Sequence, residues 1–106
     1  MNKGWIVTKD HLEAGCADGT YKFTESKYLP VEVVGPRGCT LTKEELLKGT
    51  PFKMYDDDGN LYYSGRLVGD ADSEDGFMPL DHYGEPNAGC THIKYRDKKT
   101  GEWKIL

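Results

Sequence analysis

The chain has 106 residues, 30% of them charged and 37% hydrophobic, and a formal net charge of −4. That length holds one domain, 1–106, with one modest core, and seven Tyr, two Trp and three Phe exclude an aromatic-poor disordered chain. No apolar run approaches the ~20 residues that span a bilayer, and Lys9 and Asp10 follow Trp5-Ile6-Val7 too soon for a signal-peptide core. A cytoplasmic protein without membrane contact is therefore expected. Cys16, Cys39 and Cys90 are odd in number and far apart, which predicts three reduced thiols rather than a disulfide scaffold.

Trp5-Ile6-Val7 reads as a short strand, and Lys9 to Ala14 as one helical turn ended by Gly15. Residues 15–27 are small and polar and read as a loop. Tyr28 to Val34 is a second β run, and Pro30 marks it as an edge strand or a strand beginning. A helix follows over Lys43 to Lys48: Thr42 and Glu45 have capping-box spacing, and Leu41 and Leu46 have the spacing of a hydrophobic staple. Gly49 is placed to close that helix in a left-handed conformation.

Two hairpins come next. Phe52 to Tyr55 and Leu61 to Gly65 flank an Asp-Gly turn. Thr91 to Arg96 and Glu102 to Ile105 flank Asp97 to Gly101, and their alternation predicts that Ile93, Tyr95, Trp103 and Ile105 share one buried face. Between the hairpins, residues 69–89 are acidic and Gly-rich, with only Phe77-Met78-Pro79-Leu80 able to anchor them. The expected fold is α+β: a small, mostly antiparallel sheet with one short helix and a long acidic loop.

Three stretches carry a resemblance: Pro51 to Gly65, Pro79-Leu80-Asp81-His82-Tyr83-Gly84, and Glu85-Pro86-Asn87-Ala88-Gly89-Cys90-Thr91. Together they resemble a group of short uncharacterised bacterial proteins. The resemblance covers the chain from about residue 50 onward, and more loosely Trp5 to His11. It implies a folded bacterial domain and transfers no catalytic residue.

Charge is the most distinctive feature. Residues 56–85 carry nine acids against Arg66 alone, a local −8, while the rest of the chain sums to +4. Such asymmetry steers a basic partner by its field. Asp57, Asp58, Asp70, Asp72, Glu74 and Asp75 lie in turn or loop sequence and are the candidate partner-binding residues. Calcium is not expected, because a loop starting at Asp56 or Asp70 lacks Gly at its sixth position. Cys90 and His92 have C-x-H spacing, and His11 and His82 could serve as bases, but no close cysteine pair or nucleophile motif accompanies them. No metal and no cofactor are expected.

Direct nucleic-acid binding is also not expected. The net charge is negative, and on the last hairpin Tyr95 and Trp103 should point inward while Lys94, Arg96 and Lys104 point out. The function expected is non-catalytic binding of a basic protein surface, one form being a nucleic-acid mimic encoded by a phage or mobile element. The alternative is a small metal-binding protein or enzyme using Cys90, His92 and loop carboxylates.

Overall fold

The computed structural model describes residues 3–11, 28–57, 59, 61–71, 73–97 and 99–106. Six strands, β1 (Gly4–Asp10), β2 (Leu29–Gly35), β3 (Thr50–Tyr55), β4 (Leu61–Val68), β5 (His92–Arg96) and β6 (Trp103–Ile105), form one sheet in the order β2-β1-β4-β3-β5-β6. Every neighbouring pair is antiparallel. β2 lies at one edge with Pro30 as its second residue, where a missing N–H costs no ladder bond to a further strand.

β1 runs to Asp10, further than Trp5-Ile6-Val7 foretold. Lys9 and Asp10 are strand, not the start of a helical turn. They are paired on both sides, with Pro30 and Leu29 of β2 and with Ser64 and Tyr63 of β4. Two ladders outweigh the local helical preference of a few residues. Leu12 to Lys27 lie outside the described residues. A bulge between Val7 and Lys9 shifts the alternation, so Trp5, Val7 and Asp10 share one face and Ile6 and Lys9 the other.

Helix α1 spans Lys43–Leu46 and carries the capping box in full. Thr42 Oγ1 accepts from the Glu45 N–H at 3.2 Å, and Glu45 Oε1 accepts from the Thr42 N–H at 2.9 Å. These bonds hold the Glu45 carboxyl below its ordinary pKa. Gly49 does not close the helix in a left-handed conformation, since it is absent from the positive-φ glycines. Its role is close approach: a Cβ there would lie 2.3 Å from the Leu67 carbonyl oxygen, where the chain enters β3 against β4.

The stretch read as a long loop is helical from Glu74 to Ala88. It runs through a 3-10 turn (Glu74–Phe77), a π turn (Leu80–Gly84) and helix α2 (Glu85–Ala88). It covers one face of the sheet and closes the core of Trp5, Val7, Phe52, Met54, Tyr63, Leu67, Leu80, Cys90, Ile93 and Tyr95. Three contacts seat it. Leu80 and Pro79 are buried. Tyr83 packs edge-on against Tyr63 at 5.0 Å and tilted against Trp5 at 6.0 Å. The Tyr95 hydroxyl donates to the Gly76 carbonyl at 2.7 Å, and burial raises that phenol's pKa. Phe77, expected as an anchor, is 37% exposed.

The last hairpin forms in a register one residue away from that expected. Arg96 pairs with Trp103, Tyr95 with Lys104 and Lys94 with Ile105. Cross-strand partners share a face, so Trp103 and Ile105 lie opposite to Ile93 and Tyr95. Ile105 is 57% exposed. The turn sets the slip: Asp97 N–H donates to Glu102, Gly101 N–H donates to Asp97, and Gly101 has φ +74°. Asp97 accepts from the N–H of Lys99 at 2.7 Å and of Thr100 at 3.2 Å.

Lys104 lies 3.0 Å from the Asp97 carboxylate. The Lys104 ammonium first, and then the two turn N–H groups, hold the Asp97 pKa down to about 2. A carboxylate depressed by folding stabilises the fold above its unfolded pKa of about 3.9. That contribution is lost as pH falls through its folded value of about 2. Thermal melts of wild type and Asp97→Asn should therefore differ most at neutral pH and converge as the medium is acidified below about pH 4. A gap unchanged down to the folded pKa would mean that Asp97 holds no such bonds.

Candidate functional site

The covering layer collects acids. Residues 69–90 include Asp70, Asp72, Glu74, Asp75, Asp81 and Glu85 and no Lys or Arg. Asp70, Glu74, Asp81 and Glu85 are exposed. Ser73 organises the layer's start, donating its hydroxyl to the Asp70 carbonyl at 2.8 Å and accepting from the Asp75 N–H at 3.2 Å. Glu74 and Asp75 sit in the first turn of the 3-10 segment, where carboxylates also complement free N–H groups.

Among the described residues, those expected to bind a partner fall into two groups. Asp70, Glu74 and Asp75 follow β4, while Asp57 precedes it in the β3–β4 turn. The eight residues of β4 separate the two groups by roughly 26 Å. Asp75 already pairs with Lys3 at 2.8 Å. Asp58 and Asp72 lie outside the described residues.

Cys90 and His92 are not brought together as a site. Cys90 is fully buried in the core and precedes β5. Burial first, then the Asp56 carboxylate, pushes its thiol up to about 12. His92 lies in β5, and its Nδ1 meets the Thr91 hydroxyl at 2.9 Å. Among the described residues no group of three or more His, Cys, Asp or Glu could hold a metal. A thiol so placed stays protonated near neutrality and is shielded from reagents. In native protein Cys90 should resist alkylation while Cys39, which is partly exposed, reacts; denaturant should release Cys90. Rapid native labelling of Cys90, read by peptide mass, would contradict this placement.

The opposite face of the sheet has another chemistry. Lys9, Lys53, Arg66, Lys94 and Arg96 occupy its strand positions, with Glu32 as a carboxylate at the β2 edge, where it meets Lys43 at 3.3 Å. Helix α1 covers only its β1–β4 end, where Leu46 is buried beside Gly4. Across the middle runs an open depression of about 420 Å³, lined by Lys9, Lys53, Ser64, Arg66, Arg96 and Trp103 among others. On its floor the His11 Nε2 and Ser64 hydroxyl lie 2.9 Å apart.

Aromatic rings interleave with these cations. The Lys53 ammonium sits 4.1 Å from the Trp103 ring centroid, that of Lys94 4.8 Å from Tyr55, and that of Lys9 4.6 Å from Tyr28. Such contacts stabilise by about 0.5–1 kcal/mol at exposed sites. The inward Trp103 that argued against this surface is thus corrected by the hairpin register. Lys53 and Arg66 were missed because the β3–β4 hairpin they share does not by itself show that β1 and β5 bring further cations to the same face. Their alternation with buried Phe52, Met54, Gly65 and Leu67 was the available signal.

No family model, curated protein or solved structure matches the chain. Among the described residues no helix is long and apolar enough to cross a membrane.

Proposed function

We propose that this chain is a non-catalytic binding protein whose acidic layer docks on a basic protein surface in the bacterial cytoplasm. The observation that carries the reading is the composition of the layer over the core, six acids within residues 69–90 without a Lys or Arg. Among the described residues, Asp70, Glu74, Asp81 and Glu85 are exposed. One-signed fields of this kind accelerate association with a partner of opposite sign. One form is a nucleic-acid mimic from a phage or mobile element, blocking a protein that binds nucleic acid. Buried Cys90 gives no support to the metal or enzyme alternative.

The test is affinity capture from a bacterial lysate, followed by association kinetics with the captured protein. The variant replaces Asp70 and Asp81 by Asn and Glu74 and Glu85 by Gln, which leaves the Lys3–Asp75 pair intact. It should associate more slowly than wild type and with a flatter salt dependence. Equal on-rates and equal salt slopes would reduce the acidic layer to a solvated cover.

A further inference from the structure

The geometry points to the open sheet face, on the side away from the acidic layer, as a binding surface for single-stranded nucleic acid. Three observations converge on it. The first is charge: five cations lie on the strand positions of one face, and the carboxylate among those positions, Glu32, stands at the far edge beside Lys43. The second is order. Lys9 pairs with Ser64, Ser64 with Lys53, and Lys53 with Lys94 along one line across the ladder. That line crosses four strands, about 14 Å at about 4.8 Å per strand. Like charges directly opposite one another, as Lys53 and Lys94 are, destabilise a sheet. A phosphate between them would reverse the sign of that interaction.

The third is the set of rings. Trp103, Tyr55 and Tyr28 each lie under a lysine ammonium of this face. Sheet surfaces that read single strands stack unpaired bases on half-exposed aromatics and hold the backbone with neighbouring cations. Here a base stacking on Trp103 would displace the Lys53 ammonium from the ring and free it for the adjoining phosphate. A duplex presents no unstacked base to these rings, and an acidic protein surface offers carboxylates to the lysines but no flat bases to stack on the rings. Neither, therefore, fits the face as a single strand does. The acidic layer lies on the other side of the sheet, so the two surfaces do not compete for space.

The experiment is fluorescence anisotropy of a labelled oligothymidylate of about 12 nucleotides, within the range that sheet-face binders cover. The full chain should bind it, with log Kd rising against log salt at a slope of about 3.5 if all five cations meet phosphates, at about 0.7 each. Trp103→Ala should weaken binding by about fivefold or more through lost stacking. Because Trp103 is only partly buried at the sheet edge, its melting temperature should stay near that of wild type. The double variant Lys53→Gln/Lys94→Gln should bind more weakly and lower the slope by about 1.4. The neutralised acidic-layer variant should keep the slope.

Three results would overturn the inference. One is no binding at about 50 mM salt. Another is binding indifferent to both the Trp103 and the lysine substitutions. The third is competition by polyglutamate or by a DNA duplex of the same length as effective as that by the unlabelled oligothymidylate, which would leave a generic anion surface.

Discussion

Replacing Phe52 by alanine is expected to lower the free energy of unfolding by about 3–5 kcal/mol, the range for buried aromatic truncations. Phe52 is 1% exposed and lies on β3, one of the two central strands of the sheet, with Gly65 of β4 and Tyr95 of β5 as cross-strand partners. Its ring meets that of Tyr95 edge-on at 5.9 Å. Truncation forfeits the transfer free energy of the ring and leaves a void. The void is bounded by a sheet on one side and the seated helical stretch on the other, so collapse is restricted. Urea denaturation with an unchanged m-value would measure the loss directly. A change below about 1 kcal/mol would place Phe52 outside the core.

Gly65→Ala is expected to cost about 3 kcal/mol or to prevent folding, the upper end of overpacking effects. A Cβ at Gly65 would lie 2.0 Å from the Ile6 carbonyl oxygen and 2.7 Å from Phe52 Cζ. The ring could move, but the carbonyl belongs to β1, which pairs with β4 and β2 on its two sides. Relief would require separating β1 from β4 and breaking their ladder. The two sites should also be coupled in a specific way. In a Phe52→Ala background Gly65→Ala should remain destabilising, because the contact with Ile6 survives loss of the ring. If the double variant were no less stable than Phe52→Ala alone, the clash would be with the ring only.

These two positions also show what was legible beforehand. The β3–β4 hairpin was readable because Asp-Gly marks the turn and Phe52, Met54, Leu61, Tyr63 and Leu67 fall on alternating positions. The start of α1 was readable because Thr42 and Glu45 satisfy each other's backbone N–H groups locally. Features decided by distant partners were not. β1 extends to Asp10 because β2 and β4 both claim it. Gly49 and Gly65 are glycine because strands far along the chain approach them, not because of local turns.

The helical stretch over 74–88 was hidden by Gly76, Pro79, Gly84 and Pro86, all poor interior helix formers. Its stability comes from Leu80, Tyr83 and the Tyr95–Gly76 bond rather than from propensity. For the binding surfaces, the bias of 69–90 toward acids could be counted in the chain. The basic face could not, because its five cations come from four strands and its tryptophan from a register that Asp97 and Gly101 set by turn geometry. A slip of one residue there moves Trp103 from the core to the open face.

The chain's two tryptophans, Trp5 and Trp103, report separately on the two sides of the sheet. Trp5 is 3% exposed in the core, and Trp103 is partly exposed beside Lys53. Acrylamide quenching of the single-tryptophan variants Trp5→Phe and Trp103→Phe therefore measures the division of the sheet into a core face and a ligand face. Trp103 should be quenched readily and Trp5 scarcely at all, and added oligothymidylate should alter the emission of Trp103 alone. Equal shielding of both residues would place Trp103 in the core and leave the open face without its principal ring.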